Sequence, residues 1–377
     1  MRKEIFMLAL TFFLAIFCAG CNSSKDSVSI TKDEAHSFVD DDLRIGDIRD
    51  MANTENGFYY MSESRLFYYD NELKESTILC TDANCNHDSD KCNARFINYF
   101  NEIFYNNGNI YAMEYVEQDD SNYHFYLVEI SKDATKRTRL TDLFQASDTV
   151  GISYDMILHR GYCYFCVYPD DYETEKENSV FRVKIEKNAK VETIYSDTGY
   201  GVTFDLYGYE NGIYLEEHKN IDFQASDSIY DMHIYDMDTE KVTDCEMDDF
   251  RQITFGNGCI YYTKSDSLWK KEDGKKEEKL YDFGKDVYGD LQFDGSYFYF
   301  DTQPDCYMKD LDEEERKVYV IDQQGELKEM LEIPFEYWFA TCDKEKSVWK
   351  NMSGTKVAIY YTKQIGSGKT QLEEILQ

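Results

Sequence analysis

The fold is decided by residues 56–70, which read Asn56-Gly-Phe-Tyr-Tyr-Met-Ser-Glu-Ser-Arg-Leu-Phe-Tyr-Tyr-Asp70. Two aromatic-rich runs flank four polar residues, which is typical of a β-hairpin, because aromatic and β-branched side chains suit a half-buried pleated surface. Variants of this stretch return five more times, and each opens with a turn residue and a glycine. The five openings are Asn107-Gly108, Arg160-Gly161, Asn211-Gly212, Asn257-Gly258 and Asp294-Gly295.

Glycine suits these openings because tight hairpin turns need a positive φ, which glycine adopts without steric cost. Successive glycines are separated by 51, 53, 51, 46 and 37 residues, close to the roughly 40 to 50 residues of a propeller blade. The sequence therefore predicts an all-β chain that folds as a β-propeller over residues 43–363.

The number of blades follows from counting the repeats. Six copies carry the glycine, and a seventh unit over residues 337–362 supplies only three strands. A propeller must close its ring, so a fourth strand is expected from the N-terminal side. Seven blades are predicted, with six or eight as the alternatives. Residues 364–377 are expected to be a tail, with a short helix over residues 371–376.

The N-terminus has the three parts of a secretory signal peptide. Arg2 and Lys3 precede an apolar run over residues 5–18, and two small residues end the segment at position 20. The apolar run of about 14 residues is shorter than the roughly 18 to 20 that span a bilayer, so a permanent transmembrane helix is disfavoured. The sequence predicts a cleaved signal peptide over residues 1–20.

A lipid anchor is predicted at the cleavage site. Residues 17–21, Phe-Cys-Ala-Gly-Cys, resemble the bacterial lipobox, except that Cys18 stands where leucine is usual. Cys21 would be diacylated and become the first mature residue, with ordinary secretion as the alternative. Residues 21–42 are polar and acidic and are expected to link the anchor to the folded domain. The protein is then expected on the outer face of the cytoplasmic membrane.

The charge of the chain excludes several partners. The formal net charge is −34, and removal of residues 1–20, with two basic residues and one acidic residue, leaves −35. Nucleic acid is excluded because phosphate binding relies on a basic footprint. The same field repels anionic lipid, so only the anchor is expected to hold the protein to a membrane. The chain is expected to be a monomer.

No nucleotide site is predicted either. Residues 365–370, Ile-Gly-Ser-Gly-Lys-Thr, resemble the end of a phosphate-binding loop, but Lys363 stands where that motif needs its first glycine. These residues are interpreted as a turn.

The most specific local motif is Cys-x4-Cys-x-His-x4-Cys, formed by Cys80, Cys85, His87 and Cys92 between the first and second repeats. Three thiolates and one imidazole complete a tetrahedral set for zinc and leave no position for substrate, so such a metal would be structural. A disulfide between two of the cysteines is the alternative in an oxidising compartment, and unlinked thiols are the third possibility. No other cofactor is predicted.

Other polar residues form no recognisable site in the sequence. The acidic pairs Asp119-Asp120 and Asp170-Asp171 could bind Ca²⁺ through carboxylate oxygens, but a solvated acidic loop is the favoured interpretation. Four histidines in the repeats show no paired spacing: His124, His159, His218 and His233. No catalytic residue is predicted.

Taken together, the lipobox, the cysteine–histidine motif and the repeated Gly-x-Ile-Tyr-Tyr hairpins resemble a group of propeller-type lipoproteins of unassigned function from Gram-positive anaerobic bacteria. The hairpin Ile260-Tyr-Tyr-Thr263 followed by Leu268-Trp269 is also similar to YWTD-type propeller repeats, with tyrosine in place of tryptophan and with longer blades. The first resemblance covers nearly the whole chain and implies a surface-exposed β-propeller, with no catalytic residue to carry over.

Two functional classes follow from these observations. The favoured one is a lipid-anchored, non-enzymatic binding module that takes a glycan, a peptide or a protein through aromatic-rich loops at one end of the ring. The alternative is an extracytoplasmic hydrolase or lyase, whose acid and base come from separate blades and meet at the propeller centre.

Replacement of Cys21 by alanine is expected to release the protein into the medium or to leave the precursor uncleaved, because acyl chains supply the membrane affinity that an acidic surface cannot. Fractionation of cells followed by immunoblotting measures this. Unchanged membrane attachment of the Cys21→Ala protein would contradict the lipoprotein assignment.

Overall fold

The computed structural model describes residues 51–89, 91–96, 102–119, 122–146, 152–169, 174–220, 228–247, 249–284, 289–302, 316–351, 355–368 and 371–375. The signal peptide, Cys21 and the acidic linker lie outside these residues and stay predictions. Within the described part of the chain, no helix is long and apolar enough to cross a membrane.

The described residues form six antiparallel sheets, in each of which neighbouring strands are consecutive in the chain. The first sheet comprises β1 (Met51–Thr54), β2 (Gly57–Ser62), β3 (Arg65–Asp70) and β4 (Glu75–Ile78), and the second β5 (Ile103–Asn106), β6 (Asn109–Asp119), β7 (Asn122–Ser131) and β8 (Arg137–Ala146). The third has seven strands: β9 (Ile152–His159), β10 (Tyr162–Pro169), β11 (Glu175–Lys184), β12 (Glu192–Tyr209), β13 (Gly212–Asn220), β14 (Ser228–Asp236) and β15 (Lys241–Asp244).

The remaining sheets have four strands each. The fourth comprises β16 (Ile253–Gly256), β17 (Cys259–Lys264), β18 (Ser267–Glu272) and β19 (Glu278–Asp282), and the fifth β20 (Asp290–Phe293), β21 (Tyr297–Asp301), β22 (Val318–Asp322) and β23 (Leu327–Leu331). The sixth comprises β24 (Tyr337–Cys342), β25 (Lys346–Asn351), β26 (Val357–Tyr361) and β27 (Glu373–Ile375), with a 3₁₀ turn at Thr362–Gln364.

The third sheet is held together by its long strand β12. Its first half pairs with β11 up to Tyr200, and its second half pairs with β13 from Tyr200 to Tyr209, with a register shift between Tyr200 and Thr203. Gly201 lies at this shift with a φ of 57°. The sheet therefore consists of two four-stranded halves, β9–β12 and β12–β15, that share one strand.

The sheets follow one another around a ring. Among the described residues, seven clusters of buried apolar side chains each join one four-stranded unit to the next. One cluster closes the circle, because Phe58 and Tyr60 of the first sheet pack with Val348 and Ile359 of the sixth. The first strand of one unit also lies beside the first strand of the next, as β1 does with β5 and β24. This is the arrangement of a β-propeller.

Polar contacts reinforce the closure. Asn53 Nδ2 donates to Thr341 Oγ1 at 2.8 Å and to the carbonyl of Cys342 at 3.0 Å. The buried Lys350 Nζ donates to the carbonyl of Met61 at 3.1 Å. The first and last sheets are thus joined by apolar packing and by hydrogen bonds.

The predicted glycine turns are confirmed at four repeats. Gly108, Gly161, Gly258 and Gly295 have positive φ and lie between the first and second strands of their units.

Since the strands are antiparallel, the turns between second and third strands lie at the opposite end, together with the connections from one unit to the next. We call this the hairpin end. The longest hairpins, β6–β7, β10–β11 and β13–β14, all extend toward it.

Two expectations for the C-terminus are wrong. Glu373–Ile375 form β27 instead of a helix and pair with β26, because this places the Ile375 side chain in the cluster that joins the first and sixth sheets. The fourth strand of the sixth sheet is therefore β27, and not a strand from the N-terminal side.

Adjacent first strands approach closely where β9 meets β12. His159 is fully buried, and a Cβ on Gly208 would lie only 2.7 Å from its Nδ1. Its Nε2–H donates to the carbonyl of Glu210 at 3.1 Å. Burial lowers the pKa of His159 to about 4, because the charged imidazolium would lose its hydration.

Removal of residues 371–377 is expected to destabilise the whole domain in a single transition, by about 2 to 4 kcal/mol, because it uncovers β26 and takes Ile375 out of the closing cluster. Thermal unfolding followed by circular dichroism measures this. The matched control lacks only residues 376–377 and should melt like the full chain. Equal melting temperatures for both truncations would contradict closure through β27.

A second prediction concerns pH. The unfolded His159 takes up a proton near pH 6.5 and the folded residue only near pH 4. The free energy of unfolding that comes from keeping the His159 ring neutral is therefore fully present above pH 6.5 and is lost as the pH falls toward 4. In His159→Gln the amide can still donate to Glu210, so this acid-dependent loss should shrink by up to about 3 kcal/mol. Urea unfolding across this range measures it, and parallel pH profiles of the two proteins would contradict the prediction.

Candidate functional site

The cysteines and histidine of the predicted motif lie together in the connection between β4 and β5. One ligand atom from each of Cys80, Cys85, His87 and Cys92 lies within 4.8 Å of those of the other three. Cys92 is buried and the other three are half-buried. The three cysteines are free thiols in this structure.

Backbone hydrogen bonds hold this connection against the turn between β2 and β3. Leu66 N donates to the carbonyl of Ala94 at 2.8 Å, and Phe96 N donates to the carbonyl of Ser64 at 2.9 Å. His87 adopts a φ of 56°, and its carbonyl accepts a hydrogen bond from Arg65 Nε at 3.2 Å. The loop therefore has a defined path at the hairpin end.

Two of the three sulfur atoms have nitrogen neighbours from His87. His87 N donates to Cys85 Sγ at 3.3 Å, and His87 Nδ1 lies 3.4 Å from Cys92 Sγ. Burial raises the pKa of the Cys92 thiol to about 11, although a hydrogen bond from the backbone of Ala94 lowers this pKa in part. An isolated Cys92 would thus stay protonated, and a cation is what would make its thiolate favourable.

A second group of ligating side chains was not predicted. Asp205 on β12 is the register partner of Glu216 on β13, and His218 lies two residues further along the same face. His218 Nε2 lies 3.1 Å from Glu216 Oε1 and 3.4 Å from Asp205 Oδ2. Glu216 is buried, and the other two are half-buried. We call this group the carboxylate–histidine cluster.

Aromatic side chains border the carboxylate–histidine cluster. Tyr207 OH donates to the second oxygen of Glu216 at 2.8 Å. The Tyr230 ring packs edge-on against His218, with centroids 4.6 Å apart, and Tyr230 is 48% exposed. The neighbouring Ile229 is 46% exposed on the other face of β14. The end of the β13–β14 hairpin thus combines hydrogen-bond acceptors with exposed apolar surface.

The opposite face of β13 carries a separate network. Glu217 Oε2 lies 3.2 Å from His233 Nε2 and accepts a hydrogen bond from Tyr195 OH at 3.1 Å, while His233 Nδ1 lies 2.9 Å from Asp244 Oδ1. The hydrogen bond to Glu217 raises the pKa of His233, although burial opposes the shift. Both ring nitrogens of His233 face a carboxylate within the network, so we interpret it as a structural link across β12–β15.

The spacing Glu216-x-His218 was the signal that sequence reasoning missed. Residues two apart on a strand share a face, so this pair needed only a strand assignment to be recognised. Asp205 could not be assigned in the same way, because its place depends on the pairing of β12 with β13. Sequence reasoning assembled no group around the histidines, and the structure places His218 beside two carboxylates.

Two cysteines three residues apart on β10 do not meet, and the acidic pairs stay predictions. Cys163 and Cys166 lie in different core clusters, as expected for opposite faces of β10. Of the acidic pairs, only Asp119 falls on a described strand, at the end of β6, and the side chains of both pairs lie outside the described residues.

No protein-family model and no curated protein matches this chain. Solved structures similar to it include BamB from Moraxella catarrhalis, with 10% identity, a TM-score of 0.43 and coverage of 84% of this chain and 95% of that one. AztD from Citrobacter koseri has 10% identity and a TM-score of 0.45, with coverage of 87% and 86%. The β-propeller domain of the Trilobed protease from Pyrococcus furiosus has 10% identity and a TM-score of 0.43, with coverage of 88% and 96%. Similarity at this level gives no ligand or activity, and the propeller arrangement rests on this chain's own strand pairing and core clusters.

Proposed function

We propose that the protein is a lipid-anchored, seven-bladed propeller lipoprotein on the outer face of the cytoplasmic membrane, and that it binds a ligand at the hairpin end. The blade count treats β9–β12 and β12–β15 as two blades that share a strand. It is supported by the seven apolar clusters, one between each pair of neighbouring units.

The observation that carries the binding function is the exposed Tyr230 ring beside the carboxylate–histidine cluster. Tyr230 is 48% exposed, and an exposed aromatic ring offers apolar surface and a hydroxyl to a ligand. Glu216 and Asp205 supply acceptor oxygens within reach of the same ligand, and His218 lies between them. Rigid strands hold all of these groups, as a preorganised site requires.

The chemistry favours a glycan over a peptide or protein as the ligand. Sugar hydroxyls donate hydrogen bonds to carboxylates, while the apolar face of a sugar ring can pack on tyrosine. The net charge of −34 disfavours a polyanion, so an uncharged glycan or an amino sugar fits best.

A hydrolase is the second candidate, and the same cluster supports it. Two carboxylates and one imidazole are ligands that divalent cations accept, and three protein ligands leave positions for water. This alternative predicts metal-dependent hydrolysis, whereas the binding module needs no turnover.

Binding is tested by screening the full chain in detergent on a glycan array and measuring the hits by calorimetry. Tyr230→Ala and Glu216→Gln should each weaken binding about tenfold or more, which corresponds to about 1.4 kcal/mol. The matched control is Phe335→Ala, which removes another exposed aromatic ring, 44% exposed and before the sixth sheet, and should bind like wild type.

Equal binding by Tyr230→Ala and wild type would contradict the proposed surface. Binding of peptides but not glycans would leave the surface in place and change the ligand class. Turnover of a bound glycan that requires added Mn²⁺ or Zn²⁺ and is lost in Glu216→Gln would favour the hydrolase.

A further inference from the structure

We propose that Cys80, Cys85, His87 and Cys92 bind one Zn²⁺ ion, which fastens the β4–β5 connection onto the interface between the first and second sheets. This site is independent of the proposed ligand surface, because its residues lie in the β4–β5 connection and not on β12–β14.

The distances fit a tetrahedral ion better than a disulfide. Zinc–sulfur bonds of about 2.3 Å place neighbouring ligand atoms roughly 3.8 Å apart in a tetrahedron, and the four ligand atoms here lie within 4.8 Å of one another. A disulfide would join two sulfurs at about 2.05 Å and leave the third thiol and the imidazole without a role. Convergence of all four side chains is therefore explained by a metal and not by a crosslink.

The backbone of the loop also positions the cysteine side chains for metal binding. His87 N donates to Cys85 Sγ at 3.3 Å, and N–H donors to sulfur are the outer-shell contacts that orient and tune metal ligands. Turns formed by Cys85 N to the carbonyl of Asp82 and by Cys92 N to the carbonyl of Ser89 place the cysteines on one side of the loop. His87 has a positive φ, and its Nδ1 lies 3.4 Å from Cys92 Sγ.

The position of the loop indicates what the ion would stabilise. Cys92, Ala94 and Phe96 belong to the buried cluster between the first and second sheets, and Cys80 and Cys85 pack against its edge. The connection from Ile78 to Ile103 is long, and long connecting segments are costly to order. An ion bound by both ends of the loop would offset that cost and keep Phe96 in the interface.

Four protein ligands leave no coordination position for water or substrate, so the metal is structural. The prediction is one zinc per chain, with loss of metal lowering stability and leaving the ligand surface on β12–β14 unaffected.

The test uses the full chain, purified in detergent without chelator or reductant. Elemental analysis should give one zinc and no iron or copper per chain, and native mass spectrometry should show three reduced cysteines in the loop. Cobalt substitution should produce the thiolate-to-metal charge-transfer band and the d–d bands of a tetrahedral site. Chelation should lower the melting temperature of wild type by several degrees.

Variants separate metal binding from general damage. Cys85→Ser and His87→Ala should lose at least nine-tenths of the zinc, and their melting temperatures should no longer respond to chelator. Cys245→Ser and His124→Ala change the same residue types outside the β4–β5 connection and should keep a full zinc ion. His87→Cys restores a four-ligand set, so it should retain zinc even if His87→Ala does not fold.

Three results would overturn the proposal. The first is a wild-type chain without metal and with a disulfide among Cys80, Cys85 and Cys92. The second is full zinc occupancy in both Cys85→Ser and His87→Ala. The third is a cobalt spectrum without charge-transfer bands.

Discussion

The structure depends on the burial of both faces of each sheet by its two neighbours. A four-stranded antiparallel sheet cannot bury its apolar faces alone, and here the aromatic faces of one unit pack on those of the next, as Tyr261 does with Phe293 and Phe298. The first and last units also have to bury their apolar faces, and they do so by packing against each other. Closure is therefore the condition on which the stability of every other interface depends.

The same constraint explains where chemistry can be placed. Side chains in the middle of a sheet are committed to the apolar clusters, so polar groups collect where strands extend past the packed region. The ends of β12–β14 carry acceptors and exposed apolar surface, and the β4–β5 connection carries four ligating groups at the hairpin end. One ion pair is buried within the packed region, where Arg316 makes a two-pronged contact with Asp301 at 3.0 and 2.6 Å.

Local patterns could be predicted, and features that depend on pairing could not. Glycine turns such as Gly161 and the cysteine–histidine loop are set by residues close in sequence, so their spacing predicted them. The Gly199-Tyr-Gly201 stretch reads as a break, yet pairing on both sides makes it part of β12. β27 has few strand-favouring residues, and it forms because β26 offers an unpaired edge. The carboxylate–histidine cluster required the register of two strands.

The connection between the units β9–β12 and β12–β15 differs from the other connections of the ring, because the two units share the strand β12. Elsewhere one unit passes to the next through a loop, which can lengthen in evolution without disturbing either sheet. Here β12 itself connects the two halves of the third sheet, so an insertion on either side of the shift near Gly201 would displace the register of that half. We therefore expect β12 to tolerate substitutions better than insertions. The units β9–β12 and β12–β15 should also open together in hydrogen exchange, as one cooperative unit.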